Sequence, residues 1–314
     1  MRCQTGFSRY TMPPPTTDDI LQKARELGFA AAGVAMVGHA ATLDRFDAWI
    51  AAGCASGMDY LSGRRDLRAD PRRFAPGARS IIAVAARYPR HPQPGTGFSS
   101  YSWGGDYHNV LRDRLRRLTG WIRQTVRLQT ARIAVDSAPL LEREWALRAG
   151  IGWRGRQGQV VNQKAGACLV LGFLLVDIEL TPTPPAANRC GTCRRCLDAC
   201  PTNALRPDGT VDARRCISYW TIEHRGPIPT EVAPLLGQSL FGCDRCTAAC
   251  PWNRFGEDCV LPEFRVAAPL PDSHACIAIT DVDFLRRFTE TAVQRIGPDG
   301  LRRNAAVAVA NEEQ

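Results

Sequence analysis

The residues of this chain with the clearest chemical pattern are cysteines, which fall into two closely spaced runs. The first run, from Cys190 to Cys200, has the spacing C-x2-C-x2-C-x3-C-P, and the second, from Cys243 to Cys250, has the spacing C-x2-C-x3-C-P. Thiolates at the first spacing bind [4Fe–4S] clusters, and in two-cluster ferredoxins the fourth cysteine of each run binds the other cluster. The spacing therefore predicts two clusters and the transfer of single electrons.

The crossing rule divides the cysteines into two predicted ligand groups. Group 1 consists of Cys190, Cys193, Cys196 and Cys250. Group 2 takes Cys200, Cys243 and Cys246, and its fourth predicted member is Cys216, the only cysteine between the two runs.

Zinc and disulfide bonds are the alternative uses of clustered cysteines. Zinc sites usually pair C-x2-C with a second such pair or with histidines, which a triple run ending in C-x3-C-P fits poorly. Disulfides suit secreted chains, yet no apolar signal segment opens this sequence and no apolar stretch reaches membrane-spanning length. We therefore expect reduced thiols in a cytoplasmic protein that contacts no membrane. The other cysteines are expected mostly to be packing residues: Cys3, Cys54, Cys168, Cys259 and Cys276.

The rest of the sequence indicates the elements that position this chemistry. A chain of 314 residues with 45% apolar and 23% charged residues is long enough for two domains. Apolar periodicity predicts helices over residues 18–27, 43–52, 109–128 and 140–149, and strands over 29–35, 80–87, 131–135 and 168–176. We expect Thr17 or Asp18 to cap the first helix.

These elements predict an α/β domain, a sheet with covering helices, over residues 18–180. It follows a loose leader (1–17) and precedes a ferredoxin-like module (181–262) that begins with a proline-rich linker. A short helical segment (263–314), with helices over 281–288 and 300–310, completes the chain. The α/β domain has no P-loop, and its G-x-G-x-x-G at Gly150–Gly155 follows a helix rather than a strand, so an ordinary nicotinamide enzyme is disfavoured.

Several blocks outside the cysteine runs resemble the epoxyqueuosine reductase family. The most selective is the D-[ST]-x-P-x-x-E-R pattern that begins at Asp136, followed by Gly-Ile-Gly-Trp at 150–153. Others are Gly-Asp-Tyr-His at 105–108 and Cys-Ile-Ser-Tyr-Trp at 216–220. The resemblance extends from about residue 18 to 310 and includes both cysteine runs.

This resemblance implies a reaction. Family members hold base-off cobalamin in a nitroreductase-like α/β domain beside one cluster, while the other cluster relays electrons inward. Their substrate is a tRNA whose anticodon-loop wobble base carries epoxyqueuosine, and their product is queuosine. Asp136 matches the family's proton donor, which requires its pKa to be raised by burial or by a neighbouring carboxylate. The alternative role for Asp136 is an N-cap of the helix over 140–149.

The resemblance also implies cobalamin contacts. Polar side chains in matching blocks are Arg64, Tyr101, Asp106, Asp136, Ser218 and Asp244, and the main chain is implicated at Val160 and Leu171. His108 also lies in such a block, but outside any cobalt-ligating D-x-H-x-x-G motif. The family's G-K-N is replaced here by Gly155-Arg156-Gln157, which puts local contacts in doubt.

The predicted partners are an epoxyqueuosine-containing tRNA and an unidentified low-potential electron donor, and we expect a monomer. A net charge of +9 and an arginine-rich helix face over 109–128 suit a polyanion. Many relatives extend further at the C-terminus with a helical repeat, so a reduced grip on tRNA is expected. Two alternatives stay open: a cobalamin-dependent reductive dehalogenase, and an electron carrier without its own active site.

Overall fold

The structure is a computed structural model that describes residues 13–89, 97–256, 261–266 and 268–313. Most of the predicted leader, with Cys3, and also Cys259 lie outside the described residues. No helix of the described segments is both long enough and apolar enough to cross a membrane.

The helices and strands follow the predicted alternation. The strands are β1 (Ala31–Met36), β2 (Ser80–Arg87), β3 (Ala131–Ala134), β4 (Trp153–Arg154), β5 (Val160–Val161) and β6 (Leu169–Val176). The α-helices are α1 (Thr17–Glu26), α2 (Leu43–Ala51), α3 (Arg65–Ala69), α4 (Pro71–Phe74), α5 (Tyr107–Ile122), α6 (Glu142–Arg148), α7 (Arg195–Asp198), α8 (Ala233–Leu236), α9 (Arg245–Ala248), α10 (Ser273–Ile277), α11 (Asp281–Phe288) and α12 (Gly297–Glu312). A π-helix covers Tyr219–Glu223.

The main sheet has the order β1-β2-β6-β3, and every neighbouring pair is antiparallel. All eight residues of β2 are buried because the sheet is covered on both faces. On one face Ile82 and Val84 pack with α1 and α5, and on the other Ile81 and Ala83 pack with α6. This two-sided burial explains why β2 reads as a continuous apolar run.

Most element bounds agree with the predictions, and the differences have local causes. The strand at Ser80–Arg87 and the helix at Asp281–Phe288 have the predicted bounds. The cap of α1 is Thr16 rather than Thr17 or Asp18, because Thr16 and Asp19 form a reciprocal capping box. Helix α5 ends at Ile122, six residues before the predicted end, so Val126 lies beyond it.

The predicted linker and the C-terminal segment are both tied to the rest of the protein. The Thr183 hydroxyl donates to the carbonyl of Ala149 at 2.5 Å, and the Thr183 main chain pairs with Val34 at the edge of β1. Helix α12 buries Asn304, whose amide donates to the carbonyls of Thr221 and Leu240. These bonds fix the segment that follows Cys216 against the C-terminal helices.

Candidate active site

The predicted iron ligands separate in space into the two predicted groups. Burial raises the pKa of the Cys250 thiol to about 11, and the other three members of group 1 add to that increase. Burial likewise raises the pKa of the Cys246 thiol to about 12, and the other three members of group 2 add to it. Cys250 therefore interacts with the other three thiols of group 1, and Cys246 with the other three of group 2, as the crossing arrangement requires.

The donor set of each quartet suits a [4Fe–4S] cluster. The cysteines of the described segments are free thiols, and a cubane binds each of its four thiolates at a different iron. Binding of a cluster would remove the thiol protons.

Residues 155–157, where the sequence differs from the G-K-N of the resembling family, lie beside group 1. The Arg156 guanidinium donates to the carbonyl of Gly191 at 2.9 Å, in the loop between the first two cysteines of the run. Gln157 is buried, with its amide packed against Gly155. Arg156 thus supports the loop between the first two cysteines, because its planar guanidinium reaches a main-chain carbonyl there.

Asp136 lies in an acid cluster at the end of β3. It has a left-handed φ of 52°, a conformation that non-glycine residues hold mainly at constrained functional positions. Its carboxylate is 3.0 Å from His108 Nε2, and its main-chain N–H donates to Glu142 at 2.5 Å. The opposite ring nitrogen of His108 is 2.7 Å from Asp106.

The capping alternative for Asp136 is wrong. Helix α6 begins at Glu142, its N-cap is Leu141, and that cap makes no side-chain hydrogen bond. The Asp136 side chain is directed instead to the first turn of α5, where Asp106 is the N-cap.

The charge distribution of this cluster differs from the prediction. Burial raises the pKa of Asp136, but the hydrogen bond and charge of His108 outweigh it, so the pKa is lowered overall. Burial opposes protonation of His108, yet its hydrogen bonds to Asp106 and Asp136 raise its pKa to about 9. Burial, with the charge of Asp136 added, raises the pKa of Glu142 to about 8. These shifts favour the protonated forms of His108 and Glu142 and the ionised form of Asp136.

Group 2 lies next to the acid cluster. Burial lowers the pKa of Arg143, against the opposing charges of Glu142, Asp136 and Cys216. One guanidinium thus lies within electrostatic range of both the predicted acid and a predicted iron ligand. Burial raises the pKa of Tyr88, and Asp244 and Cys246 are among the groups that add to it. These two electrostatic interactions involve different elements, and the first of them connects group 2 with the acid cluster.

Besides Asp106 and Asp136, two of the predicted cobalamin contacts, Tyr101 and Asp244, lie near the acid cluster. Tyr101 packs edge-on against Tyr107, 5.8 Å between ring centroids, and its raised pKa reflects burial and then Asp244 and Asp136. Asp244 accepts hydrogen bonds from the Ser99 hydroxyl and, at 2.6 Å, from the Ser100 main chain.

The other predicted contacts have different environments. Burial raises the pKa of Cys216, while the Ser218 side chain lowers it by hydrogen bonding to the thiol. Ser218 therefore supports group 2. Arg64 is exposed, close to the buried Arg68. Val160 pairs with Arg154 in the β4–β5 hairpin, and Leu171 pairs with Ala85 in the main sheet. Because β3 pairs with β6 only over 173–176, among the described strands the β6 edge at 169–172 has no second partner.

Several site residues were not singled out from the sequence. Glu142 and Arg143 belong to the same sequence block as Asp136, which was the available signal. Arg295 comes from a distant segment: its pairing with Glu223 at 2.7 Å raises its pKa, and its charge is among those that lower the pKa of Asp136. Nothing in its local sequence indicates this position.

The arginine-rich face of α5 is only partly free. Arg114 is directed to the opposite side, where it pairs with Glu263 at 2.7 Å. Arg112 donates to Ser137 at 3.1 Å, next to Asp136. Arg116, Arg117, Arg123 and Arg127 are exposed, and Arg117 pairs with Asp113 at 3.2 Å, so the unpaired solvent-facing charge is smaller than the sequence predicts.

A double quartet of thiols beside a cluster of proton-carrying side chains defines an iron–sulfur oxidoreductase that couples electrons to protons. Family models agree with both halves. The model described as epoxyqueuosine reductase QueG, DUF1730, matches residues 68–137, and the model described as a 4Fe-4S double cluster binding domain matches residues 189–253. The second match confirms the prediction of a two-cluster module.

Similar proteins extend the match to nearly the whole chain. The chain is 40% identical over 306 residues to the epoxyqueuosine reductase of Alicycliphilus denitrificans, covering 92% of this chain and 85% of that one. It is 39% identical to the Escherichia coli K12 enzyme, covering 93% of this chain and 80% of that one. The solved epoxyqueuosine reductase from Streptococcus thermophilus superposes with a TM-score of 0.85 at 32% identity, covering 94% of this chain and 81% of that one.

Another solved epoxyqueuosine reductase, in complex with an epoxyqueuosine-modified tRNA-Tyr stem loop, has a TM-score of 0.85 at 28% identity, with 94% of this chain and 80% of that chain covered. This chain belongs to the epoxyqueuosine reductase family.

Proposed function

We propose that this protein reduces epoxyqueuosine to queuosine in tRNA. The observation that carries the proposal is the position of Arg143, on whose pKa the charges of Glu142 and Asp136 in the acid cluster and of Cys216 in group 2 all act. Electrons and protons can then meet in one cleft. Whole-chain similarity to epoxyqueuosine reductases supports the substrate and disfavours both the dehalogenase and the electron carrier.

Group 1 and group 2 would each bind one [4Fe–4S] cluster, which supplies electrons one at a time. The separation of the two quartets supports this assignment. Group 1 lies against a small apolar core in which Trp153 and Trp252 pack edge-on at 5.0 Å. Group 2, beside the acid cluster, would hold the cluster next to cobalamin, and the group 1 cluster would relay electrons inward to it. An unidentified low-potential donor would deliver electrons to group 1.

Cobalamin would bind in the cleft beside Tyr101 and Asp136. The unshared edge of β6 around Leu171 supports this, because main-chain N–H and C=O groups suit the amide side chains of a corrin. When bound base-off, cobalamin supplies a cobalt centre able to carry out the difficult reductive step. Arg64, Asp106 and Val160 remain proposed contacts, whereas Asp244 and Ser218 would act through the hydroxyls and thiol that they bind.

Asp136 would pass a proton to the departing epoxide oxygen. Its side chain is 51% exposed toward the cleft, although it is surrounded by charged groups from several elements. The left-handed backbone and the main-chain bond to Glu142 orient it. The solved Bacillus subtilis epoxyqueuosine reductase matches this chain with a TM-score of 0.83, and its catalytic loop, which carries an aspartate, is swung out of the active site. That supports a comparable role for the loop after β3.

We also propose the finer organisation predicted from the sequence. The α/β part (18–180) would be nitroreductase-like, followed by a ferredoxin-like module (181–262) and a helical segment (263–314). Arg116 and Arg123 would contact tRNA phosphates, the protein would act as a monomer, and a tRNA substrate would place it in the cytoplasm.

The decisive experiment is anaerobic turnover. Protein reconstituted with iron, sulfide and cobalamin is incubated with an epoxyqueuosine-containing stem loop and a chemical reductant, and nucleosides are analysed by mass spectrometry. We expect queuosine, with about eight irons and one cobalt per chain. Samples without cobalamin should give none. If fully loaded protein leaves epoxyqueuosine intact, the proposed function is wrong.

A further inference from the structure

His108 bridges two carboxylates, and this arrangement determines its protonation. Its Nδ1 is 2.7 Å from Asp106 and its Nε2 is 3.0 Å from Asp136. When Asp106 and Asp136 are both ionised, as their lowered pKa values favour, they only accept hydrogen bonds, so both ring nitrogens then carry hydrogen to satisfy both contacts. Only the imidazolium form does so. The geometry therefore places a stored proton one hydrogen bond away from Asp136.

The chemistry of the proposed function makes such a store necessary. Conversion of an epoxide to an alkene consumes two electrons and two protons, because the oxygen leaves as water. Asp136 can hold one proton at a time, and the charge of His108 lowers its pKa. A second proton must therefore reach Asp136 during each turnover, and the His108 ring is 3.0 Å from its carboxylate.

We propose that His108 is a positioning residue that acts through Asp136, by protonating the Asp136 carboxylate through their hydrogen bond. In the transfer, the Nε2–H bond of His108 breaks as an O–H bond forms on the ionised Asp136, and that O–H bond then breaks as the proton passes to the substrate oxygen. The two electrons come from the carrier chain of the proposed function, on which this inference rests. His108 then regains a proton from solvent.

The surroundings of His108 support storage at the ring and delivery at the carboxylate. The His108 side chain is 19% exposed, whereas that of Asp136 is 51% exposed, so the stored proton is shielded and the delivering group faces the cleft. The Tyr107 ring stacks on His108 at 4.1 Å. The charged groups that act on this pair or on its two carboxylates are Asp106, Asp136, Glu142, Arg112, Arg143 and Arg295. Their balance raises the pKa of His108 to about 9.

The first test does not depend on turnover. Histidine-labelled holoprotein is titrated by NMR, and His108→Gln identifies the His108 signal. We expect His108 to titrate near pH 9, and Asp136→Asn to lower that midpoint. A midpoint at or below about 6.5, the value for a free side chain, would overturn the proposal.

The second test separates proton delivery from structural support. Single-turnover rates on an epoxyqueuosine stem loop are measured across pH for wild type, His108→Gln, His108→Ala and the control His274→Gln, whose side chain is exposed. Since the imidazolium is the donor, the wild-type rate should fall as pH rises through about 9. His108→Gln should lower the rate about 10–100-fold and remove that limb.

Chemical rescue completes the test. Added imidazole should restore His108→Ala at low pH and do so less well as the added imidazole loses its proton, while cobalamin content and stem-loop affinity stay at wild-type levels. Wild-type rates in both His108 variants, or a loss that imidazole leaves unchanged, would refute the inference. Absence of turnover in wild type refutes the proposed function instead, and leaves the NMR result to judge the stored proton.

Discussion

Replacing Asp136 by Asn is the substitution that best separates chemistry from architecture. The amide keeps the size of the side chain, its oxygen can still accept from His108, and Asn tolerates the left-handed φ of 52°. Because the side chain is 51% exposed, we expect the free energy of unfolding to change by no more than about 0.5 kcal/mol. The cysteine groups lie on other elements, so iron and cobalamin contents should be unchanged.

Turnover should respond very differently. An amide cannot deliver a proton at neutral pH, and general acid catalysis typically contributes about 10²–10⁴-fold, equivalent to about 3–5 kcal/mol of activation free energy. The assay is single-turnover formation of queuosine, beside stem-loop binding and metal analysis, with the exposed Asp18→Asn as matched control. A rate within threefold of wild type in fully loaded Asp136→Asn would show that the acid lies elsewhere.

Three further predictions concern the metal groups and the stability of the fold. Cys250→Ser should lose the group 1 cluster and Cys246→Ser the group 2 cluster, each leaving about four irons per chain, and loss of both clusters in either variant would contradict independent quartets. Arg72 holds the pKa of the buried Asp70 at about 2. This pair should therefore contribute about 2 kcal/mol to the free energy of unfolding above pH 4, and that contribution should be lost as the pH falls toward 2. Asp70→Asn should remove this pH dependence in urea titrations. Glu144 is buried and accepts three hydrogen bonds from the segment before α2, so Glu144→Ala should lower the free energy of unfolding by about 3 kcal/mol, and a loss below 1 kcal/mol would mean water replaces the carboxylate.

The sequence predicted those elements whose pattern is local. Strand β2 was predicted with its correct bounds because its apolar run is long and flanked by turn residues. The order β1-β2-β6-β3 could not be predicted, since it depends on pairing across about ninety residues and no local signal encodes that register. Helix α5 was predicted too long because its apolar spacing continues past Ile122, where the chain leaves the helix at Arg123.

The two ligand groups were predicted from a different kind of signal. Cysteine spacing within a run is a local property, and the crossing of Cys200 and Cys250 follows from a general rule for two-cluster modules. The cobalamin contacts were harder to predict. Ser218 and Asp244 lie in recognisable blocks, but their hydrogen bonds to Cys216 and to Ser99 and its neighbour exist only after distant segments have folded together.

Proton chemistry shows the limit of sequence reasoning most directly. A carboxylic acid that works at neutral pH was expected to have a raised pKa, yet the pKa of Asp136 is lowered, because an imidazole from the start of α5 reaches it. The missing proton is one bond away, on His108, and the group with a raised pKa is Glu142. A lowered pKa need not weaken Asp136 as an acid, because the His108 imidazolium can protonate the carboxylate while the departing oxygen takes a proton from it. Acid strength in this cleft is therefore a property of the connected carboxylates and imidazole, and it should be measured on the whole cluster.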